Sequence, residues 1–457
     1  MKIRTLKLFT WIGTHRIAFT AMASRVIQAM GWLAAIPLIT THLSAAEQGY
    51  YYTFASLAAL QVFVELGMTG VIVQSLAHEV AHLNLNVSVS DPSWDGPVYH
   101  RARFAAVLRF AKWWFGLAGI CSSIALAIGG AWFMLSAENQ HPTGVVWIGP
   151  WLTIAIMTGG IVWTAGVMSI LEGIGSIGTA TTIRLIASVS GLAGLILGLL
   201  LGIGLWSIAI NMGLIVIISL GAGWWWLRRP LKAITSQPPD HQYCWKTEIW
   251  PFQWRIALSW MAGWFIFQAM TPAMLRFSGA EAAGRFGLAL QVANGVQALA
   301  GVWTQIRAPA WGMMIAKSEW SVLDRDFRKW VLISIGFSML GAIIVIVGME
   351  WILTSTLEIR HRLPSLAVMF PLLSVAILNQ WVFAIAGYLR AHKKEPFLGT
   401  SITTALTILV AIQFPGLVKE SSLPTTYGIV SLVVGGIVGT IIWRRCRSQW
   451  HFAKNNE

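Results

Sequence analysis

Long apolar runs alternate with short polar segments along the whole chain. Each run has the roughly 20 residues that an α-helix needs to cross a bilayer, so the pattern predicts about twelve transmembrane helices. The polar segments between the runs predict connecting loops. The predicted spans are 17–40, 50–73, 111–134, 148–171, 181–202, 204–226, 253–273, 286–308, 330–353, 365–388, 397–416 and 424–443.

The composition supports an all-α polytopic membrane protein. The 457 residues are 56% hydrophobic and 11% charged, with a mean hydropathy of +0.66, whereas soluble domains carry about 25% charged residues. Many of the 26 tryptophans lie near the ends of apolar runs, as expected for side chains that anchor helices at the bilayer surface. Three well-separated cysteines predict neither a disulfide framework nor a metal site.

The distribution of basic residues predicts the orientation. The net charge of +14 does not form one patch, so nucleic acid is not an expected partner. With both termini placed in the cytoplasm, Arg25 lies within the membrane and nearly all other Lys and Arg residues are cytoplasmic. This asymmetry follows the positive-inside rule. The predicted external exceptions are Arg276, Arg285, Arg360, Arg362 and Lys419.

Three short motifs recur in order in the two halves. RIAFT (16–20) matches RIALS (255–259), IQAM (27–30) matches FQAM (267–270), and the turn SAAEQGYY (44–51) matches SGAEAAGRF (278–286). Ordered matches with similar hydropathy around them indicate an internal duplication. The predicted organisation is an N-terminal six-helix lobe (1–227), a cytoplasmic linker (228–252), and a C-terminal six-helix lobe with a short basic tail (253–457).

Polar side chains inside the predicted spans are the candidate site residues, because a charge at the centre of a membrane helix costs about 2.5–3.5 kcal/mol unless it faces a cavity or a partner. Arg25 suits an anionic ligand or an ion pair with Glu65, and both interpretations stay open. The uncharged amides suit sugar hydroxyls or helix–helix hydrogen bonds. The candidates for lining a cavity are Arg25, Gln28, Glu65, Gln268, Gln291, Asn294 and Gln297. Asn379 and Gln380 are predicted to make helix–helix contacts instead.

HEVAH (78–82) has the HExxH pattern of zinc proteases, in which two His hold zinc and the Glu acts as a base. A third ligand is needed, but the nearby acidic candidates, Asp91 and Asp95, lie in a short loop without a helical frame. The motif also lies where the second helix leaves the membrane. Polar residues at a helix end are therefore the preferred interpretation, and no metal or cofactor is predicted.

The layout resembles the polysaccharide (O-antigen, lipopolysaccharide) flippases of the multidrug/oligosaccharidyl-lipid/polysaccharide (MOP) exporter superfamily. The resemblance rests on twelve spans in two lobes, with the turn at 44–51 and SGAEAAGRF at the matching place. It implies a multi-pass protein of the bacterial cytoplasmic (inner) membrane whose pseudo-symmetric lobes surround a central cavity. The implied cargo is a lipid-linked oligosaccharide, an undecaprenyl-diphosphate glycan for surface polysaccharide biosynthesis.

The predicted function is therefore transport by alternating access, without enzymatic chemistry. Expected partners are membrane lipids, a coupling proton or sodium ion, and other polysaccharide-assembly membrane proteins. The cationic cavity of such a flippase would draw on Arg25 and on further basic residues nearer the membrane faces, Arg184, Arg255, Arg276 and Arg307. The main alternative is a multidrug cation antiporter of the same superfamily. A glycan polymerase or ligase and an intramembrane zinc protease are lesser alternatives.

Overall fold

The computed structural model describes residues 31, 34–86, 93–95, 97–235, 250–355, 358–392 and 396–452, and these are overwhelmingly helical. The first helical segment described covers residues 34–42. The described part of the chain contains no long sheet. A small hairpin is the one paired element described: β1 (Asn84–Asn86) runs antiparallel to β2 (Ser93–Asp95). The all-α fold class is confirmed.

The helices of the first half follow in chain order. They are α1 (Ala45–Ala58), a 3-10 turn (Ala59–Gln61), α2 (Val62–Glu65), α3 (Met68–Val80), α4 (Val98–Ala125), a π-turn (Leu126–Gly130), α5 (Ala131–Gln140), α6 (Ile148–Gly173), α7 (Ile177–Leu200) and α8 (Trp206–Thr235).

The helices of the second half continue this numbering. They are α9 (Trp250–Phe267), α10 (Met270–Ser278), α11 (Ala280–Ala316), α12 (Trp320–Thr354), a 3-10 turn (Glu358–Arg362), α13 (Leu366–Ala391), α14 (Leu398–Ala411), α15 (Ser422–Val430), a π-helical segment (Ser431–Val438) and α16 (Gly439–Phe452).

Seven helices of the described residues are long and apolar enough to cross a membrane, and an eighth span is formed if the bent segment Ala45–Val80 is counted as one. These seven coincide with the predicted spans that start at residues 111, 148, 181, 204, 330, 365 and 424. The multi-pass membrane class is therefore confirmed, while the total of twelve spans stays a prediction.

The first predicted span lies mostly outside the described residues and stays a prediction. The other predicted spans depart from a single long apolar helix for identifiable reasons. The seventh is divided between α9 and α10, which are separated at Gln268 and Ala269. The eighth is α11, whose 37 residues include several amides that lower its hydropathy, and the eleventh is α14, with only 14 residues.

Packing divides the chain into two compact units. One contains Ala58–Leu135 and Val146–Met261, and the other contains Trp32–Leu57, Ser136–Val145 and Ala262–Glu457. The core of the first unit includes buried Phe104, Phe115 and Leu171. The core of the second includes Trp311 and Phe327. The predicted lobes, 1–227 and 253–457, stay a prediction.

Glycines allow the helices of the first unit to approach closely. A Cβ added to Gly191 would lie 2.9 Å from the Asn211 carbonyl oxygen, and one added to Gly198 would lie 2.9 Å from the Ser207 side chain. Both pairs join α7 to α8. The turn between these helices contains Gly202 and Gly204, whose φ angles of 72° and 57° favour glycine.

The two repeated turns contact each other within the second unit. A Cβ added to Gly49 on α1 would lie 2.0 Å from the carbonyl oxygen of Ala280, the first residue of α11. A Cβ added to Gly284 would lie 3.0 Å from the Gly49 nitrogen. The buried Gln48 amide donates a 3.1 Å hydrogen bond to the Gly284 carbonyl oxygen. Glycines at matching places in the two motifs thus form one close helix crossing.

Candidate transport site

Glu65 lies where the second predicted span breaks. It ends α2, and the next two residues, Leu66 and Gly67, have left-handed φ angles of 51° and 68°. The helical segments before and after this point, Ala45–Glu65 and Met68–Val80, differ in axis direction by 44°. Such a break releases backbone groups from the regular helical ladder, and this is tolerated inside a membrane where protein or a polar cavity surrounds it.

The Glu65 carboxylate is buried, with 7% of the residue exposed. The Thr69 hydroxyl donates a 2.6 Å hydrogen bond to its Oε1 atom. One turn earlier, the buried Oε1 of Gln61 has no hydrogen-bond partner in the described part of the chain. An acid and an unsatisfied amide oxygen on one face are suitable acceptors for a proton or a small cation. Arg25 and Gln28 lie outside the described residues, so the predicted Arg25–Glu65 pair stays a prediction.

In the second unit, the predicted amides fall into two groups. Gln268 lies between α9 and α10 and is half-buried, as are Gln291 and Asn294 on α11. Their role in lining a cavity stays a prediction. Gln297, the third amide of the α11 series, is engaged in a hydrogen-bond network with α13.

The Gln297 network joins three helices. Asn379 Nδ2 donates a 2.8 Å hydrogen bond to Gln297 Oε1, and Gln380 Nε2 donates a 3.1 Å bond to the Gln297 carbonyl oxygen. The Ser334 hydroxyl on α12 lies 2.8 Å from both Gln380 Oε1 and the Ala300 carbonyl oxygen, and these two acceptors share its one proton. Asn379 and Gln380 therefore make the predicted helix–helix contacts. Gln297 is the partner in these contacts, and its predicted place in the cavity lining stays a prediction.

The HEVAH segment forms an ion-pair cluster. The Glu79 side chain, only 5% exposed, accepts a 3.0 Å hydrogen bond from Arg103 Nε and lies 2.8 Å from His100 Nδ1. His82 stacks on His100 with ring centroids 4.3 Å apart. No group of three potential metal ligands is assembled among the described residues. The motif's acid therefore joins α3 to α4, which favours the helix-end interpretation over zinc chemistry.

Two of the basic residues considered for a cationic cavity are neutralised by acids. Arg307 makes hydrogen bonds of 3.1 and 2.8 Å to the two oxygens of Asp326, and the Trp311 indole donates a further 3.0 Å bond to that carboxylate. Arg184 pairs with Glu172. Arg276 is exposed, and the Arg255 side chain lies outside the described part.

Sequence reasoning missed the ion pairs that join distant segments of the second unit. Arg285 on α11 makes a two-pronged contact with Glu420, with hydrogen bonds of 2.8 and 3.0 Å. Arg447 on α16 pairs with Asp324 on α12. Arg362 donates to the backbone oxygens of Thr40 and Leu43 at the end of the helical residues 34–42. Partners separated by more than 100 residues leave no local signal in a sequence.

The fold is similar to solved structures of transporters. An inward-facing conformation of a multidrug resistance MATE family transporter of the MOP superfamily has 13% sequence identity and a TM-score of 0.65, covering 95% of this chain and 98% of its own. An outward-facing conformation of such a transporter has 12% identity and a TM-score of 0.59, with coverages of 95% and 96%. The MATE multidrug transporter DinF-BH, solved in a ligand complex, has 15% identity, a TM-score of 0.61 and coverages of 96% and 96%.

No family model matches the sequence, and no curated protein matches it. At identities of 12–15% the structural likeness establishes the fold, which is that of MATE transporters of the MOP superfamily. The chain thus shares its fold with these transporters, and membership of the superfamily, which the resemblance in the sequence implies, stays a prediction. The narrower assignment to polysaccharide flippases receives no support from these structures.

Proposed function

We propose that the protein is an ion-coupled transporter that moves amphipathic organic solutes across the membrane by alternating access. Multidrug export is the favoured form of this proposal. The observation that supports this proposal is a fold shared, over 95% of the chain, with inward- and outward-facing MATE transporters. The sequence alone led to a lipid-linked glycan as the main expectation, with drug export as its alternative. The structural likeness favours the alternative.

Glu65 is the proposed coupling residue. A carboxylate buried at a helix break is stabilised by a proton or a small cation, because an isolated charge is costly inside the membrane. Loading and release of that ion would change the electrostatic energy of the break and so bias one conformation over the other. The adjacent left-handed residues Leu66 and Gly67 supply a place where the helix axis already changes direction.

The charge pattern supports a cationic or neutral solute. Arg184 and Arg307 pair with acids, and the amides Gln268, Gln291 and Asn294 carry no charge. Of the basic residues considered for a cationic cavity, these two therefore do not present an uncompensated charge to a diphosphate.

A lipid-linked oligosaccharide remains the second candidate cargo, favoured by Arg25 and by the amide series on α11. For that cargo, the proposed setting is the bacterial cytoplasmic membrane.

The test compares two readouts in a strain that lacks the gene. The first is the accumulation of a fluorescent lipophilic cation in energised cells, and the second is the amount of undecaprenyl-linked oligosaccharide. Multidrug export predicts that deletion raises dye accumulation and leaves lipid-linked glycan unchanged. Accumulated lipid-linked glycan with unchanged dye would overturn the favoured form and support glycan flipping.

Glu65→Gln is the informative variant, because it keeps the side-chain size and removes the charge. We expect the rate of dye export to fall about tenfold or more. A tenfold fall corresponds to a rise of about 1.4 kcal/mol in the activation free energy of transport. Glu350→Gln is the matched control, since Glu350 is an exposed acid near the end of α12. Normal export by Glu65→Gln, with equal protein in the membrane, would remove Glu65 from the mechanism.

A further inference from the structure

The first unit carries an apolar groove that the transport proposal does not use. It lies between α4, α6 and α8 and has a volume of about 580 Å³. This is within the range of roughly 300–1,000 Å³ that is typical of small-molecule sites. Its lining residues include Phe115, Trp163, Ile170, Trp224 and Leu227. The groove therefore has the size and the walls of a site for a hydrocarbon chain.

Two glycines shape the groove. Gly166 and Gly221 both belong to its lining. A Cβ added to Gly166 would lie 2.6 Å from the Phe115 ring, so the absence of a side chain lets the two helices approach. A Cβ added to Gly221 would meet nothing within 4 Å, because it would point into open space. Gly221 thus offers a position from which the groove can be filled without disturbing the walls.

The groove opens on a surface that contacts lipid. Trp163 and Trp224, which both line it, are 51% and 64% exposed. They lie on α6 and α8, two of the helices long and apolar enough to cross a membrane. Water is a poor occupant of an apolar groove because it finds no polar partners there. Acyl chains of the surrounding bilayer are the available occupants.

Positive charge at one end of the groove favours a lipid with an anionic head group. Lys112 on α4 lines the groove and is exposed, and Arg228 lies over the Trp224 ring at 5.6 Å from its centroid. The nearby acid on α6, Glu172, is already paired with Arg184. Basic residues between transmembrane helices attract anionic lipid head groups. Two cations beside an apolar groove therefore complement a negatively charged amphiphile.

We propose that this groove is a binding site for an anionic phospholipid, with one acyl chain along Phe115, Trp163 and Gly221 and the phosphate beside Lys112. The site is separate from the Glu65 region of the proposed transport mechanism. Lys112 supplies a compact charge with three donors. Trp224, near the end of the predicted span 204–226, lies at the level where head groups meet acyl chains.

The test measures lipid binding to the purified full-length protein in detergent by native mass spectrometry. The probes are phosphatidylglycerol and phosphatidylethanolamine with identical palmitoyl and oleoyl chains. Wild type should bind phosphatidylglycerol more tightly. Lys112→Gln should weaken that binding by about fivefold and bring it near the phosphatidylethanolamine value. Gly221→Leu should weaken the binding of both lipids, because the added side chain occupies the groove.

Two matched variants serve as controls. Gly129→Leu adds the same side chain at another exposed helical glycine that meets nothing within 4 Å, and Lys317→Gln removes an exposed charge from the other unit. Both should bind lipid as wild type does. A second readout is the rise in melting temperature on adding phosphatidylglycerol, which follows from binding to the folded state and should shrink in Lys112→Gln and Gly221→Leu.

Three results would overturn the proposal. Equal binding of the two lipids by wild type would show that the site does not prefer an anionic head group. Unchanged binding by Gly221→Leu, with a loss in Lys112→Gln, would place the lipid on the surface and outside the groove. Equal losses in the control variants would show that the effect is not specific to this site. An unaltered melting temperature without added lipid shows that each variant is folded.

Discussion

Individual side chains in this protein are explained by the partners that the fold brings to them. Glu79 is part of a motif that suggests zinc chemistry, yet it contacts Arg103 and His100 on the next helix. The pattern HExxH specifies the spacing along one helix only. Whether the acid acts as a base or as half of an ion pair depends on residues that approach from elsewhere.

Replacing Arg103 by Gln should destabilise the protein, because Glu79 would keep a buried charge with a weaker partner. We expect a loss of about 2 kcal/mol, below the usual cost of about 3–5 kcal/mol for breaking a fully buried pair, since Arg103 retains some contact with solvent. Thermal unfolding in detergent measures it. The control variant Arg328→Gln, at an exposed position, should have the same melting temperature as wild type. An unchanged melting temperature for Arg103→Gln would contradict the structural role of the Arg103–Glu79 pair.

A double-mutant cycle with Asn379 tests whether Gln297 joins two helices or lines the transport cavity. If their 2.8 Å hydrogen bond joins α11 to α13, the two alanine substitutions should be coupled by about 0.6–1 kcal/mol in unfolding experiments. The affinity for a transported solute should then change little. A large change in transport KM without energetic coupling would return Gln297 to the cavity lining predicted from the sequence.

At the scale of helices, small residues determine which elements approach closely. Gly49 and Gly284 occupy matching places in the two repeated turns and lie at one crossing of α1 and α11. The Gln48–Gly284 hydrogen bond adds a polar contact at the same point. The duplication is recognisable from the motifs, but the contact between its two copies required coordinates.

Gly49→Ala tests this crossing. Alanine has the better helix propensity, but its Cβ would lie 2.0 Å from a backbone oxygen, which forces the helices apart. Overpacking of this kind costs about 1–3 kcal/mol, so the variant should unfold at a lower temperature. Gly70→Ala, where a Cβ meets nothing within 4 Å, should be neutral or slightly stabilising. Equal stability of the two variants would show that the crossing tolerates a methyl group.

At the scale of the whole molecule, the predicted orientation in the membrane rests on the distribution of charge. The sequence predicts that Lys317 is cytoplasmic and Arg360 external, and α12 (Trp320–Thr354) connects the two positions. Because a spanning helix must end on opposite sides of the bilayer, these positions test both the orientation and one of the seven candidate spans.

Single-cysteine variants provide this measurement. After replacement of the native cysteines, Arg360→Cys should react with a membrane-impermeant maleimide in intact cells. Lys317→Cys should react only after the cells are opened. The reverse pattern would invert the predicted orientation, and labelling of both positions in intact cells would show that α12 does not span the membrane.

The sequence by itself determined the class of the protein and the position of most of its described spans. Hydropathy and charge are local properties, so runs such as 148–171 and 365–388 predicted their helices closely. The polar residues within the spans were also visible, including Glu65 and the α11 amides.

Only the tertiary structure decided what those polar residues contact and where helices break. The apolar run 50–73 is continuous, and nothing in its pattern required a 44° bend after Glu65. The partners of Gln297 and of Arg285 lie more than 80 residues away along the chain. Local sequence determines how well a segment suits the membrane, whereas hydrogen bonds and close crossings depend on which distant segments pack together.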